Sequence, residues 1–250
     1  MATPVPLEPA FVLHRHPYRE TSLLLEVFAR DSGRMGLVAR GGRGRRRDRA
    51  VLLQPFSELL IGWRGRGDLG SLTQSESRGP ALPLTGRALF AGFYVNELLL
   101  RMLRRHDAAP GIYDDYREVL AELAAGGLEA ALRRFEKRLL EQCGYGLQLH
   151  EEADSGEPVD PERRYGYLPE HGPVPEGGGG TPVLGRTLLD LADERFDDPQ
   201  TLREAKRLMR AVLEQQLGPK PLRSRELFTT RSAASGGILP PFSGDNHERE

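Results

Sequence analysis

The stretch "FVLHRHPYRETSLLLEVFARDSGRMGLVARG", residues 11–41, predicts how the first third of the chain folds. It contains short apolar runs beginning at Phe11, Thr21 and Gly36, separated by turn-forming segments such as "RDSGRM". Two similar runs follow, "QPFSELLIGW" from Gln54 and "GSLTQSE" from Gly70. Strands this short and this numerous, with no helical period among them, favour a small closed barrel because an open sheet would expose its edges.

The period of the sequence changes near residue 80. "GPALP" at 79–83 has the composition of a linker, and apolar residues then recur at helical spacing. Thr85 is a candidate cap for the first helix, Gly144 ends the third, and Asp198 and Gly218 bound a long later one. We therefore predict an α+β multidomain protein, with a five-stranded OB-type β-barrel in residues 1–80 and a mainly α-helical domain in 81–235.

An excursion at about 150–182 interrupts the helical pattern. It is rich in Gly, Pro and acidic residues, which predicts a loop with "PEGGGG" at 175–180 as its most mobile part. Within it, "YGYL" at 165–168 suits an edge strand. Residues 236–250 have the composition of a disordered tail.

Composition excludes several classes of protein. With 35 Lys+Arg and 36 Asp+Glu the formal net charge is −1, so any dense basic segment is a local feature. The one cysteine, Cys143, excludes an intrachain disulfide and any site built on several thiolates. The N-terminus has no signal-peptide pattern and no run of eighteen apolar residues occurs, so we expect a cytoplasmic protein.

The densest basic segment is "ARGGRGRRRDRA" at 39–50, which places six arginines between residues 40 and 49. Guanidinium groups bind phosphate oxygens in pairs, and interleaved glycines let a backbone approach a polyanion. The neighbouring strand connections are also basic, and a closed barrel can bring such loops to one rim. The predicted DNA-binding residues are Arg30, Arg34, Arg40, Arg43, Arg45, Arg46, Arg47, Arg64 and Arg66. Two alternatives remain: a solvated loop without a partner, and a barrel that docks another protein.

A second group of basic residues lies in the predicted helices and the segment after them. "ALRRFEKRLL" places its cations on the side away from Leu132 and Leu139, and the long helix carries another basic stripe. Such a groove suits an acidic peptide with an apolar end, although amphipathic surface helices are often basic on one face. The candidate peptide-binding residues are Arg133, Arg134, Phe135, Lys137, Arg138, Arg203, Arg207, Lys220 and Arg223.

No pattern in the chain indicates catalysis. "EGGGGTPVLGRT" lacks the lysine of a phosphate-cradling loop, and the acidic pairs at 114–115 and 197–198 suit helix starts. His14 and His16 lie on one face of a strand, where packing is the simpler role. We predict no catalytic residue, metal or cofactor, and no enzymatic activity.

Several segments in order resemble the RecO family of bacterial recombination and repair mediators, especially its γ-proteobacterial members. The similarity runs from about Ala10 to about Phe228. The segments that carry the resemblance are "RETSLLLEVF", "LQPFSELLIGWRGRGDL", "ALPLTGRALFAGFYVNELLLRML", "ALRRFEKRLLEQCGYGLQL", "SGEPVD" and "TLREAKRLMRAVLEQQLGPKPLRSRELF".

The resemblance implies both a fold and a function. It implies an OB barrel followed by a helical domain, binding of single- and double-stranded DNA, and annealing of complementary strands. It also implies two protein partners, RecR and the acidic C-terminal tail of single-stranded DNA-binding protein (SSB), assistance to RecA, and a cytoplasmic, nucleoid-associated location. Many relatives carry four zinc-binding cysteines in the excursion, whereas this chain has none there, and His150 and His171 alone make a poor zinc site.

Overall fold

The computed structural model of the chain describes residues 7–41, 51–65, 67 and 69–225. The first third of the chain forms a closed barrel in the strand order β1-β2-β3-β5-β4, which confirms the predicted five-stranded barrel. The strands are β1 (Glu8–Tyr18), β2 (Ser22–Ala29), β3 (Gly33–Ala39), β4 (Glu58–Arg64) and β5 (Leu69–Ser77).

Alternation along the strands builds the barrel interior. Val12, Leu25, Leu37 and Ile61 are at most 1% exposed and belong to one apolar cluster. Tight turns join β1 to β2 and β2 to β3 in antiparallel hairpins, whereas β3 and β5 pair in parallel through three residue pairs. That short parallel seam closes the barrel, so none of its five strands is left as an open edge.

The part of the chain after the barrel is mainly helical, as predicted. The helices are α1 (Gly86–Met102), α2 (Pro110–Ala124), α3 (Leu128–Gln142), α4 (Gly185–Ala192) and α5 (Pro199–Leu217). The Asp198 side chain caps α5 by accepting from the Thr201 backbone N–H at 2.8 Å, and Gly144 after α3 has φ +85°. Thr85 occupies the N-cap position of α1, but its side chain makes no capping hydrogen bond.

The predicted loop excursion contains a small sheet. Its strands are β6 (Arg164–Leu168), β7 (Gly172–Pro175) and β8 (Thr181–Leu184), in the order β7-β6-β8. "YGYL" therefore lies in the central strand, and its assignment to an edge strand is wrong. Tyr165 and Tyr167 are each 2% exposed and pack into the helical core, which explains why a segment with so few apolar residues is ordered. The predicted tail, 236–250, lies outside the described residues.

The barrel and the helices share a core. Phe11 and Phe28, on the outer face of β1 and β2, pack against Tyr113 of α2 with ring centroids 5.3 and 5.6 Å apart. Asn96 of α1 donates to the Leu13 carbonyl at 2.8 Å and accepts from the Tyr116 hydroxyl at 2.6 Å. Because these groups are buried and satisfied, they fix how the barrel sits on the helices.

Candidate nucleic-acid interface

Two of the predicted DNA-binding arginines tie the barrel to the helices. Arg30 pairs with Asp114 of α2 at 2.9 Å, and Arg34 pairs with Glu26 at 3.1 Å while donating to the Leu103 carbonyl. Arg105, in the α1–α2 connection, binds the same Glu26 carboxylate. We call Arg30, Arg34, Arg105, Glu26 and Asp114 the clasp.

The clasp also depends on a close backbone approach. Gly33, at φ +71° in the β2–β3 turn, lies so near the α1–α2 connection that a Cβ would meet the Asp107 carbonyl oxygen at 2.1 Å. The β2–β3 turn is therefore covered by the helical region. The expected common rim does not include Arg30 and Arg34, because they lie in the β2–β3 turn and at the start of β3, whereas Arg40 follows the end of that strand.

The far ends of the barrel strands bring a different set of arginines together. Ser22 pairs with Tyr18 and Leu23 with Ala39, so the β1–β2 turn lies beside the end of β3, where Arg40 is exposed. Ser71 of β5 pairs with Val38 on one side and with Arg64 on the other. At ~4.8 Å per strand, Arg64 lies about 10 Å across the sheet from Val38.

Arg19 completes this surface, and sequence reasoning missed it. It is exposed in the β1–β2 turn, and its guanidinium lies 5.2 Å from the centroid of the Tyr18 ring. The available signal was its position, since the first connection of an OB barrel is one that commonly contacts nucleic acid. We call Arg19, Arg40 and Arg64 the arginine face. Four predicted residues of the basic segment, Arg43, Arg45, Arg46 and Arg47, lie outside the described residues, as does Arg66.

Two cations of α3 are buried, contrary to the expectation that they face away from the apolar side. Arg133 is 4% exposed and donates to Glu136 at 2.7 Å, and Lys137 is 8% exposed. The Glu136 carboxylate also accepts from the Tyr94 hydroxyl at 2.7 Å. Burial raises the pKa of Glu136, while the Arg133 guanidinium opposes that rise. These groups are buried because α1, α2 and α5 all contact α3. Phe135 is a core residue, 2% exposed.

The other α3 cations are bound by carboxylates of the same chain. Arg138 donates two hydrogen bonds to Glu194, at 3.0 and 2.7 Å, and its remaining amino group contacts Asp115 and Glu118. Arg134 pairs with Glu122 at 2.6 Å and with Glu194 at 3.3 Å. Burial alone raises the pKa of Glu194, but the hydrogen bond and charge of Arg138 outweigh it and lower that pKa.

A cleft follows the end of α5. Its volume is about 590 Å³. Leu217, Pro219, Pro221 and Leu222 provide its apolar lining, and Arg210, Glu214, Lys220 and Arg225 provide its charged groups. The Glu214 carboxylate accepts from Arg210 at 3.0 Å and from Arg225, whereas Lys220 is exposed.

The remaining peptide candidates lie outside the cleft lining. Arg203 and Arg207 are exposed on α5, and Arg207 is 3.7 Å from Glu204. The backbone N–H of Arg223 donates to Glu97 at 3.0 Å. Of the predicted peptide residues, five therefore lie in α3, Arg203 and Arg207 lie on the surface of α5, and Lys220 and Arg223 follow α5, where Lys220 alone of them lines the cleft.

The histidine and cysteine side chains show packing roles. The rings of His14 and His16 lie 4.0 Å apart between centroids, and burial together with the neighbouring imidazole lowers the pKa of His14 to about 4. Burial raises the pKa of the Cys143 thiol at the end of α3. Among the described residues, no group of three or more His, Cys, Asp or Glu side chains is placed to hold a metal ion.

In the part of the chain that the structure describes, no helix combines the length and apolar character needed to cross a membrane.

Comparisons with known proteins agree across nearly the whole chain. Residues 6–81 match the family model described as Recombination protein O N terminal, and residues 83–226 match that of Recombination protein O C terminal. A protein of Methylococcus capsulatus named DNA repair protein RecO is 52% identical over 227 residues, covering 90% of this chain and 94% of its own. A protein of Alkalilimnicola ehrlichii with the same name is 49% identical over 245 residues, which cover 96% of this chain and 97% of that protein.

Proposed function

Because the chain belongs to the RecO family of DNA repair and recombination proteins, we propose that it is a non-enzymatic mediator that binds single- and double-stranded DNA. In this proposal it anneals complementary strands and, with RecR, assists the loading of RecA onto DNA coated with single-stranded DNA-binding protein. The arginine face of the barrel is the observation that supports DNA binding most directly.

The arginine face suits a phosphate backbone. Arg19, Arg40 and Arg64 converge on one side of the barrel, and the chain continues from Arg40 into the segment with the highest density of arginine. Arginine binds phosphate through paired N–H donors, and each phosphate contacted releases condensed counterions. Annealing requires two polyanions to be held together without any bond being broken, and a cationic surface of this kind lowers their repulsion.

We place the binding site for the acidic tail of single-stranded DNA-binding protein in the cleft after α5. The α3 cations first considered for it already bind Glu122, Glu194, Asp115 and Glu118. The cleft instead combines leucine and proline side chains with cations at its edge. An apolar peptide end can bury itself there while acidic residues contact Lys220. RecR remains a proposed partner without an assigned surface.

The test of DNA binding is a salt titration. Labelled single-stranded DNA is titrated by fluorescence anisotropy at several salt concentrations with the wild type and with a variant carrying Arg19→Ala, Arg40→Ala and Arg64→Ala. Each lost phosphate contact is expected to reduce the slope of log affinity against log salt by about 0.7. Arg203→Ala, which removes an exposed cation of α5, should leave the slope unchanged.

The same experiment separates the proposal from its rival, a scaffold whose barrel docks another protein. A scaffold predicts weak binding at low salt with no difference between the triple variant and Arg203→Ala. A second variant replaces Arg43, Arg45, Arg46 and Arg47 by alanine and is expected to flatten the slope and slow annealing.

A further inference from the structure

A small cavity opens at the connection from β4 to β5, between Arg64 of the arginine face and His106 of the α1–α2 connection. Its volume is about 130 Å³, below the ~300 Å³ at which pockets for whole small molecules begin. The lining residues are Met35, Gly36, Leu37, Trp63, Gly65, Gly67, Gly70 and His106. The cavity is therefore of a size for one ring system.

Trp63 is the aromatic side chain of this cavity. It is half-buried, packing on the barrel core on one side while lining the cavity. The pairing of β4 with β5 is irregular between Gly62 and Trp63. An irregularity of this kind changes the direction of the next side chain, and such features are common beside binding sites.

Gly70 allows Leu37 and Trp63 to pack closely against the β5 backbone. A Cβ at this position would meet Leu37 Cδ2 at 2.9 Å and Trp63 Cδ1 at 3.3 Å. A larger residue at position 70 would therefore push Leu37 and the indole out of their present positions. The neighbouring strands fix the site relative to the arginine face, because Arg64 follows Trp63 directly and Arg40 lies three residues beyond Leu37, about 10 Å along the strand.

We propose that this cavity binds one unpaired DNA base stacked against Trp63 while the flanking phosphates contact Arg40 and Arg64. The proposal rests on the proposed function and adds a residue that distinguishes single-stranded from duplex DNA. Bases in a duplex are stacked on their neighbours and paired, so they do not enter the cavity, whereas every unpaired base offers an aromatic face. Trp63 then contributes binding that depends on the base and is less sensitive to salt than the phosphate contacts.

The chain itself supplies the probe, since Trp63 is its single tryptophan. Intrinsic fluorescence of the full-length protein is followed during titration with an oligothymidylate, with a duplex of equal length, and with an abasic strand that carries only sugar and phosphate. We expect the oligothymidylate to quench the emission and the other two to leave it nearly unchanged. Anisotropy of the same labelled strands reports binding independently.

A pair of variants tests the energetic side. Trp63→Leu should weaken binding of the oligothymidylate roughly 5- to 150-fold, the effect of losing one stacked base, and should change duplex affinity less than twofold. Trp63→Phe should retain much of the affinity. Circular dichroism checks that both variants fold. If one of them does not fold, the fluorescence titration of the wild-type protein still tests the proposal.

The outcomes separate the two proposals. Binding of the oligothymidylate by anisotropy without quenching, or equal quenching by the abasic strand, overturns the role of Trp63 and leaves DNA binding intact. Absence of binding to any strand at low salt overturns the proposed function.

Discussion

Helix α3 and the end of α5 carry similar basic sequences and have different environments. In "RRFEKR" at 133–138, Arg133 and Lys137 are buried, and Arg134 and Arg138 are bound by acidic side chains from α2 and from Glu194. In the segment after α5, Lys220 is exposed at the edge of an apolar cleft. The difference shows that a cation contributes to folding or to recognition according to the carboxylates that tertiary packing brings near it.

The largest expected effect concerns the buried pair of α3. Arg133→Met leaves the Glu136 carboxylate in the core without its cation, and removing one partner of a buried pair costs about 3–5 kcal/mol of unfolding free energy. Urea denaturation at neutral pH measures this loss. The triple variant Arg133→Met, Glu136→Leu and Tyr94→Phe should recover most of it, because it leaves neither a charge nor the Tyr94 hydroxyl buried without a partner. A loss below about 1 kcal/mol in the single variant would mean that the pair is not structural.

The clasp extends the same contrast to the barrel. Gly33→Ala places a methyl group against the Asp107 carbonyl, and we expect about 2–3 kcal/mol of destabilisation in urea. Gly41→Ala is the matched control, because Gly41 has nearly the same φ, +69°, and no atom of the other described residues lies within 4 Å of the added carbon. Gly41→Ala should lower the free energy of unfolding by only ~1 kcal/mol, the cost of placing a non-glycine residue in the left-handed conformation. Equal losses at the two positions would show that the close approach does not contribute.

Glu194→Gln is expected to remove the ion pairs that Glu194 forms with Arg134, Lys137 and Arg138 of α3. Their loss should lower the free energy of unfolding by about 1–2 kcal/mol. It should also raise the salt concentration at which the protein elutes from a phosphate resin. Asp193→Asn makes the same charge change one residue earlier, at an exposed group that pairs with Arg195. It should shift the salt concentration of elution less than Glu194→Gln does. Identical shifts for the two variants would attribute the effect to net charge.

The smallest effect is expected in the cleft, where stability should hardly change. Lys220→Ala should weaken binding of an acidic peptide with an apolar end by roughly 3- to 5-fold, the contribution of one exposed charge. Anisotropy of a labelled peptide measures it, and Arg203→Ala controls for loss of an exposed cation elsewhere. If Arg134→Ala weakens the peptide more than Lys220→Ala does, the peptide lies on α3.

The barrel was predictable from sequence, whereas the small sheet and the clasp were not. Five short runs with turn residues between them specify local pairing, and hairpins form between neighbours in the chain. The excursion has few apolar residues, and its central strand β6 is stabilised by burying Tyr165 and Tyr167 in a core built by distant helices. Arg30 finds its carboxylate partner Asp114, and Arg34 its Leu103 carbonyl acceptor, only when α2 and the α1–α2 connection pack on the barrel.

The candidate site divides in the same way. The basic segment that begins at Arg40 is visible in composition, and its position after β3 follows from the strand pattern. The convergence of Arg19 with Arg40 and Arg64 depends on the pairing of β3 with β5, which are not consecutive strands and whose register no local pattern encodes. The cavity at Trp63 likewise exists only because β3, β4, β5 and His106 meet there.

The sequence by itself determined the elements of this protein: a run of short strands, then helices, with cations concentrated in a few segments. Propensity and periodicity act over a few residues, so these features can be read without knowing what packs where. Only the tertiary structure decided which cations are buried with a carboxylate and which are exposed at the surface. Charge compensation acts through space over a few ångströms, and it can join groups that are far apart in the chain. Arg30 and Asp114, for example, are separated by 84 residues.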